Sequence, residues 1–286
     1  MSSDNLTEQQ KNYEWWNTNP MLYNWERPIC SEDGTKDFFY EIDQRYFNAL
    51  KKFAHPNYPD EIPFSKLIDY SPLDGKKILE IGCGSGANAA VFASLGMDIT
   101  AIDITERAVE LTKNRFLVFG LNGKILKVDA EDMPFPDNYF DYIWSWGVIH
   151  HTANMDRAIH EIFRVLKSGG RAQIMVYHKN SFRYWVLGGL LEGIIKGKLF
   201  RMSLDEVNKS FTDGYIARHL TRKEAIKVFS LFSNIEISVL DQGDHFLPLG
   251  KLYRVLERIT PSRILSWFDL QLMKRFGWFL FISVVK

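Results

Sequence analysis

The sequence has little cysteine and no excess of either charge. Cys30 and Cys83 are the only 2 cysteines in 286 residues, and they lie too far apart for a CxxC-type metal site or a disulfide framework. This usage predicts a reducing cytoplasm and no metal. Lys+Arg and Asp+Glu both number 35, without a long run of one sign. A surface that follows the phosphates of a nucleic acid is therefore not expected.

Long apolar runs are also missing. The longest stretches, at 184–195 and 276–285, are interrupted by Glu192 or too short, whereas a bilayer span needs roughly 20 apolar residues. The polar start of the chain does not resemble a secretory signal, so a soluble protein is expected. Hydrophobic residues nevertheless make up 46% and aromatic residues 14% of the sequence. This richness fits either an aromatic-lined pocket or a surface that touches a membrane.

From residue 76 onward, short β-rich runs alternate with helical periodicity. Such alternation is typical of βαβ units and predicts a parallel sheet. The expected strands lie at 77–82, 98–103, 124–129, 140–145, 171–178, 235–241 and 278–285. The expected helices between them lie at 87–95, 105–119 and 155–166, the last of which is ended by a turn at 167–170.

Three segments lie outside this alternation. Residues 1–75 are rich in aromatic side chains and contain a helix expected at about 38–53, so they are predicted to form a helical lid. Residues 76–286 are predicted to form the main α/β domain. Its insertions, at about 180–234 and 243–277, are expected on the substrate side, because connecting segments usually carry such contacts.

The strongest local motif is a glycine-rich turn that directly follows an apolar strand, in KILEIGCGSG. Its glycines are Gly82, Gly84 and Gly86, and Glu80 precedes them. Glycine lets a backbone turn sharply and approach a ligand more closely than a Cβ permits. In the dinucleotide fingerprint G-x-G-x-x-G the third glycine comes one residue later. The compact spacing favours a cofactor without pyrophosphate, and NAD stays the alternative.

Acidic residues end the next two strands. Asp103, in DITAIDIT, can accept hydrogen bonds from both hydroxyls of a ribose, whichever of the two cofactors is bound. Asp129, in VDAEDMPF, can accept from an adenine amino group beside exposed backbone amides. The second motif favours the cofactor without pyrophosphate.

The motifs ILEIGCGSG, AIDIT, VDAEDMPFPDNYFDYIWSWGVIHHT and IFRVLKSGG, in this order, resemble the class I S-adenosylmethionine-dependent methyltransferases, particularly the small-molecule enzymes of ubiquinone and menaquinone biosynthesis. The resemblance covers roughly residues 76–180, with Ser168 where the family often has proline. It implies a Rossmann-like, seven-stranded, mostly parallel α/β sheet with an antiparallel last strand and helices on both faces. It also implies S-adenosylmethionine as the cofactor and a small molecule as the methyl acceptor.

The same resemblance implies the parts that bind the cofactor. The glycine turn and Glu80 would hold the methionine end, Asp103 the ribose, and Asp129 with Ala130 the adenine. Ser145 would lie beside the sulfonium. The full set of cofactor-binding candidates is Glu80, Gly82, Cys83, Gly84, Gly86, Asp103, Ile104, Asp129, Ala130, Glu131 and Ser145.

Candidate bases and substrate contacts come from the ends of the fourth and fifth strands and from the aromatic N-terminal region. The catalytic candidates are His150, His151 and His178. They stand where ligands bind in open α/β sheets, and an unperturbed imidazole titrates near pH 6.5. The substrate-binding candidates are Tyr13, Trp16, Tyr23, Trp25, Trp146, Tyr177 and Arg218. Aromatic side chains at these positions either cap a sulfonium through cation–π contact or belong to the core.

The sequence leaves the acceptor and its reacting atom (O, N, S or C) open. Ser145-Trp146-Gly147-Val148 replaces the Asn/Asp-Pro-Pro-Tyr type of motif that methylates planar amino groups. The main alternative acceptor is lipid-like, such as a quinone at a membrane surface. An NAD-dependent oxidoreductase and a non-catalytic cofactor-binding module are the remaining alternatives. The oligomeric state is not predicted.

Overall fold

The computed structural model describes residues 7–23, 27–55, 62–241 and 262–286. Within them the chain forms an eight-stranded mixed sheet. The strands are β1 Lys77–Ile81, β2 Asp98–Asp103, β3 Lys124–Lys127, β4 Phe140–Trp146, β5 Leu166–His178, β6 His219–Leu220, β7 Ser233–Leu240 and β8 Phe279–Val285.

The sheet has the order β3-β2-β1-β4-β5-β8-β7, and β6 pairs with the end of β5. Strands β1 to β5 run parallel to their neighbours, whereas β8 is antiparallel to both β5 and β7. The predicted Rossmann-like sheet with an antiparallel last strand is confirmed. The two-residue strand β6 is an addition that the sequence pattern did not predict.

Helices surround the sheet, and side-chain caps begin several of them. Thr105 accepts a hydrogen bond from the amide of Ala108 at the start of the helix Glu106–Phe119, and Asn154 accepts one from the amide of Arg157 at the start of the helix Met155–Val165. The described helices of six or more residues are α1 Glu8–Thr18, α2 Lys36–Leu50, α3 Ala87–Ser94, α4 Glu106–Phe119, α5 Met155–Val165, a π-helix Arg183–Ile195, α6 Leu204–Lys209, α7 Arg222–Val228 and α8 Ser262–Phe276. None of these helices combines the length and apolar composition that crossing a bilayer requires.

The central strands are covered on both faces. In β1, Ile78 packs into the cluster that contains Phe92 of α3, whereas the next residue, Leu79, packs into the cluster that contains Ile162 of α5. Alternate residues of a strand point to opposite faces, so both faces of β1 are buried. Ligands can therefore approach these strands only at their ends.

Strand β5 begins earlier than predicted, at Leu166 and not at 171. Its pairing with β4 shifts register after Leu166, and Gly169 adopts a φ of +76°. The amide of Gly169 donates to the carbonyl of Lys286, and the Lys286 amide donates to Gly170. The predicted turn at 167–170 is therefore wrong, because pairing with the distant C-terminal strand holds these turn-forming residues in a bulged strand.

The segments outside the βα alternation pack at several places around the sheet. Helices α1 and α2, from the predicted lid at 1–75, pack against α4. The insertion predicted at about 180–234 contains the π-helix, α6, β6 and α7, together with the start of β7. Of the insertion predicted at 243–277, residues 243–261 lie outside the described residues, and α8 occupies most of the remainder. The division into a lid and a main domain stays a prediction.

Candidate active site

A cavity of about 480 Å³ opens at the carboxyl ends of the central strands. Its walls come from the glycine turn after β1, from the ends of β2, β4 and β5, from the segment after β3, and from α1. Open α/β sheets bind their ligands at this edge. One region of the cavity is lined by backbone and carboxylates, and another by aromatic rings.

The glycine turn contributes two different properties. Gly82 has a φ of +77°, and a Cβ built on it would lie 2.2 Å from Cγ2 of Val148. Gly84 has a φ of +55° and lines the cavity, but a Cβ there would meet no atom within 4 Å. Packing and backbone conformation thus require glycine at 82, whereas the open space at 84 is available to a ligand.

Asp103 is held beside this turn. Its Oδ2 accepts a hydrogen bond from the amide of Gly84 at 3.2 Å, and its Oδ1 accepts from the amide and the hydroxyl of Thr105 at 2.9 and 2.8 Å. Burial raises the pKa of the Asp103 carboxyl above its usual value despite these bonds. Each carboxylate oxygen has two lone pairs, so Oδ2 can accept a further hydrogen bond from a ligand hydroxyl.

Asp129 connects the end of the sheet to α1. Its Oδ1 accepts from the amide of Glu131 at 2.9 Å, and its Oδ2 accepts from Nε2 of Gln9 at 2.7 Å. Gln9 and Asn12 both line the cavity, and the buried Oε1 of Gln9 and Oδ1 of Asn12 have no hydrogen-bond partner among the described residues. Buried polar atoms are usually satisfied. These acceptors therefore fit a ligand with hydrogen-bond donors.

Glu80 lies behind the cavity wall. Burial is the main cause that raises the pKa of its carboxyl to about 8, and the nearby Asp103 adds to the effect. A hydrogen bond from Asn88 acts in the opposite direction, and Asn88 itself lines the cavity. The buried Oε2 of Glu80 has no described partner. A cationic ligand nearby would favour the ionised form of this carboxyl.

The other cofactor candidates divide into two groups. Those that line the cavity are Cys83, Ile104 and Ala130. Gly86, Glu131 and Ser145 lie outside the lining. Gly86 packs against Thr112, the carboxylate of Glu131 accepts from the amide of Asn154 at 2.8 Å, and the Ser145 hydroxyl is fully buried. Their cofactor roles stay predictions.

The aromatic region of the cavity, called the aromatic chamber below, is a continuous set of rings. The rings that line it are those of Trp16, Tyr23, Tyr46, Trp146, Tyr177, Trp278 and Phe279. The ring centroids of Tyr177 and Trp278 lie 4.7 Å apart, and those of Trp146 and Phe279 lie 5.8 Å apart. Burial raises the pKa of the Tyr177 phenol well above its usual value. This phenol therefore keeps its proton at neutral pH, and its O–H can donate a hydrogen bond.

One cation and one acid also line this region. The guanidinium of Arg183 lies 4.9 Å from the centroid of the Trp278 ring. Burial raises the pKa of Asp213, and the charge of Arg183 partly offsets that increase. This region thus contains a basic and an acidic side chain within an aromatic wall.

His151 is the candidate base that reaches the cavity. Its Nδ1 hydrogen-bonds the carbonyl oxygen of Ile216. A carbonyl can only accept, so Nδ1 carries the proton and Nε2 has a free lone pair. Burial lowers the pKa of His151 to about 4, which keeps the imidazole neutral at neutral pH. The ring centroid of Trp16 lies 5.0 Å from that of His151.

The structure places the other two histidines elsewhere. His150 is 0% exposed and does not line the cavity, and its ring centroid lies 4.0 Å from that of Tyr177 with the two rings tilted by 49°. Neither of its ring nitrogens has a described partner. His178 donates from Nδ1 to the carbonyl of Gly277 at 2.9 Å and lines a separate groove. Catalysis by any of the three stays a prediction.

Some of the predicted substrate-binding residues line the cavity, and others do not. Those that line the cavity are Trp16, Tyr23, Trp146 and Tyr177. Tyr13 lies outside the lining, under the ammonium of Lys127 at 5.1 Å from its ring centroid. The guanidinium of Arg218 donates to the carbonyl of Ala153 at 2.7 Å and holds the loop after β4. Trp25 lies outside the described residues.

Several lining residues were missed by the motifs. Asn88 follows the glycine turn within the first turn of α3, so its position was a usable signal. The others belong to segments without a recognisable motif. They are Gln9, Asn12, Tyr46 and Asp213.

Comparison with known proteins identifies the part of the chain that carries this site. The family model described as a methyltransferase domain matches residues 79–174. These residues form a methyltransferase domain. The match begins in β1 and ends in β5, so the domain supplies the glycine turn, Asp103, Asp129 and His151. The resemblance to S-adenosylmethionine-dependent methyltransferases that was drawn from the motifs is confirmed over these residues.

The domain is similar to curated enzymes from several bacteria. This chain is 36% identical over 111 residues to the ubiquinone/menaquinone biosynthesis C-methyltransferase UbiE of Pseudomonas entomophila (strain L48), covering 37% of this chain and 43% of that protein. The enzyme of the same name from Vibrio parahaemolyticus serotype O3:K6 (strain RIMD 2210633) is 31% identical over 110 residues, covering 37% of this chain and 42% of that protein. The chain thus matches less than half the length of these relatives.

A solved structure extends the likeness beyond the domain. Haemonchus contortus phosphoethanolamine N-methyltransferase 2, in complex with phosphomonomethylethanolamine and S-adenosylhomocysteine, superposes with a TM-score of 0.54 at 17% identity. The superposition covers 98% of this chain and 60% of that chain. At this identity the likeness shows the fold alone.

Proposed function

We propose that this protein transfers a methyl group from S-adenosylmethionine to a small-molecule acceptor. The observation that carries the proposal is one cavity in which the methyltransferase domain's glycine turn, Asp103 and Asp129 adjoin an aromatic chamber. The geometry of a strand, a tight turn and a helix is not enough by itself, since NAD enzymes use it too. The adjoining chamber adds space for a second reactant.

Residues on three strand ends would hold the cofactor. The open space at Gly84 would receive its methionine end, with Asn88 and Glu80 behind it. The free lone pair of Asp103 would accept from the ribose. Asp129, with the free oxygen of Gln9, would accept from the adenine amino group. When bound, S-adenosylmethionine supplies an electrophilic methyl carbon on a sulfonium.

The aromatic chamber would orient the acceptor and exclude water. Its rings offer a flat apolar surface, and ring faces also attract a sulfonium. Arg183 and Asp213 would bind one polar group of the acceptor. We therefore infer an acceptor with a flat, apolar body and a polar substituent. Holding the two reactants in line is the main contribution of such a site to the rate.

His151 would accept a proton or a hydrogen bond from the acceptor at Nε2. Its neutral ring does not repel a cationic cofactor. With a pKa of about 4, the imidazole is a weak base. It suits an acceptor whose proton becomes acidic as the new bond to the methyl carbon forms.

The proposal includes the setting in which the enzyme works. Both cysteines are free, with Cys30 exposed and Cys83 buried, which supports a reducing cytoplasm. The balance of 35 basic and 35 acidic residues supports a small molecule over a nucleic acid as the partner. Fractionation of cells that express the tagged chain tests the location.

Calorimetric titration with S-adenosylmethionine and S-adenosylhomocysteine tests the cofactor site. We expect micromolar affinity for both ligands and a loss of about tenfold or more in Asp103→Ala, because a hydrogen bond to a charged group contributes roughly 1.5–3 kcal/mol. Asp98→Ala, an exposed change on the same strand, is the matched control and should bind normally. Failure of the folded protein to bind either ligand would refute the proposal, and binding of NADH instead would favour an oxidoreductase.

A further inference from the structure

The π-helix with the turn that follows it, and α8, expose large apolar side chains. In the first segment these are Trp185, Leu190, Leu191, Ile194, Ile195, Leu199 and Phe200, and in α8 they are Ile264, Trp267, Phe268 and Leu270. The side chain of Phe200 is 90% exposed and that of Ile195 is 67% exposed. Single exposed apolar residues are ordinary, but groups of this kind mark contact surfaces.

A groove lined by the π-helix, α7 and α8 carries an unbalanced positive charge. Its cationic lining residues are Arg222, Lys223, Lys274 and Arg275. None of the described residues that line the groove is acidic, and none of these cations forms a salt bridge with a described carboxylate. Apolar lining comes from Trp185, Val186, Leu272 and Phe276. The groove therefore complements an anion that is attached to an apolar body.

The cations and the exposed rings share one side of α8. Lys274 follows Trp267 by seven residues, and Arg275 follows Phe268 by the same spacing. Seven residues are close to two helical turns, so each cation lies above a ring on the same face. Because each cation lies about 10 Å along the helix from its ring, the long Lys and Arg side chains can reach headgroup phosphates while the rings enter the boundary with the acyl chains.

We infer that this face, made of the π-helix with its following turn, the start of α7, and α8, docks on a bilayer surface that contains anionic lipids. The groove cations bind headgroup phosphates, and the exposed apolar side chains enter the boundary between headgroups and acyl chains. Arg183 lines the aromatic chamber and Trp185, two residues later, lines the groove. The docking face thus adjoins the chamber, although its binding to lipid does not depend on the proposed methyl transfer.

Vesicle flotation of the full chain tests the inference. We expect the protein to float with vesicles of phosphatidylcholine and phosphatidylglycerol. With vesicles of phosphatidylcholine alone it should remain in the bottom fraction of the gradient. The double variant Lys223→Gln/Lys274→Gln should lower the partition coefficient by about tenfold or more, since each basic residue near an anionic surface contributes to binding. The matched control Lys113→Gln/Lys124→Gln removes two exposed lysines from α4 and β3 and should float like the wild type.

A second variant tests the apolar contribution. Phe200→Ser changes a side chain that is almost fully exposed, so folding should be preserved, and flotation should fall severalfold at every salt concentration. Absence of flotation with any vesicle, equal flotation without anionic lipid, or an equal loss in the control variant would overturn the inference. A concentration-dependent dimer that Phe200→Ser abolishes would also overturn it, because a second copy would then be the occupant of this face.

Discussion

At the scale of single residues, burial sets the protonation states in the cavity. His151 lies in a protein environment where its charged form is poorly solvated, so its pKa falls to about 4. The same cause raises the pKa of Glu80 to about 8 and keeps the Tyr177 phenol protonated. At neutral pH the site therefore offers a neutral imidazole, a phenol donor and a carboxyl that is easily ionised by a nearby cation.

The state of His151 can be measured without knowing the acceptor. We expect ¹⁵N spectra to show a neutral ring with the proton on Nδ1 down to near pH 5, because burial disfavours the imidazolium and the Ile216 carbonyl accepts from Nδ1. The signal is assigned by its loss in His151→Gln. Titration near pH 6.5, or a proton on Nε2, would contradict the assignment. With an acceptor in hand, the same variant should lower turnover at least about tenfold at nearly unchanged cofactor affinity.

At the scale of elements, the turn between β1 and α3 combines an unusual backbone with close packing. Gly82 and Gly120 both have positive φ, at +77° and +65°. A Cβ at 82 would overlap Val148, whereas a Cβ at 120 would meet nothing within 4 Å. The pair therefore separates the cost of the backbone conformation from the cost of the overlap.

Substitution by alanine should reveal that difference. Gly120→Ala should lower the free energy of unfolding by about 1 kcal/mol, the cost of a left-handed conformation for a residue with a Cβ. Gly82→Ala should lower it by roughly 3 kcal/mol or more, because the overlap adds a packing cost. Urea denaturation of both variants measures the two values. Equal losses would show that Val148 can move aside.

Helix α1 makes polar contacts with the methyltransferase domain near both of its ends, and Asn17 accepts a hydrogen bond from the amide of Arg107 at 3.2 Å. Gln9 donates to Asp129 at 2.7 Å, so the helix lies over the predicted adenine end. Gln9→Ala should speed the release of S-adenosylhomocysteine by about tenfold, the effect of losing a hydrogen bond to a charged group. Stopped-flow displacement measures the rate. Glu14→Ala, an exposed change on the same helix, should leave the release rate unaltered. A similar effect in both variants would show that the bond between Gln9 and Asp129 does not retain the ligand.

At the scale of the whole molecule, buried histidines make the fold sensitive to acid. Burial lowers the pKa of His150, His151, His178 and His219, with values of about 4 for His151 and about 3 for His219. In the unfolded chain an imidazole titrates near pH 6.5. Between that pH and about 4 the unfolded state binds more protons, so the free energy of unfolding decreases as pH falls.

We therefore expect stability to fall between pH 7 and pH 5. His151 and His219 each account for roughly 2 kcal/mol over this interval. Glu80 has the opposite effect on the free energy of unfolding, because its raised pKa makes the folded state bind more protons as pH falls. This effect is roughly as large as that of one of the two histidines. Urea denaturation at several pH values checks the slope, which should be shallower in His219→Gln. A stability that is constant or rises on acidification would contradict this account.

Local pattern was sufficient for much of the fold and part of the site. The run from Ile78 to Gly86 specifies a buried strand, a tight turn and a helix through local geometry alone, so the placement of Gly82, Gly84 and Asp103 at one cavity could be predicted. The start of β5 could not, because its bulge depends on pairing with Lys286 at the other end of the chain. The residues at 167–170 are of types that usually form turns, so the sequence indicated a loop. In the folded chain they belong to β5 and pair with the C-terminal strand.

The sequence by itself determined the order of strands and helices and the motifs of the methyltransferase domain, because these follow from periodicity and from short-range backbone constraints. Tertiary structure decided which side chains reach the cavity. His150 and His151 are neighbours in sequence and both are buried, yet only His151 lines the cavity. Gln9 meets Asp129 only because α1 lies across the sheet end. Such contacts depend on how distant segments pack, which local pattern does not encode.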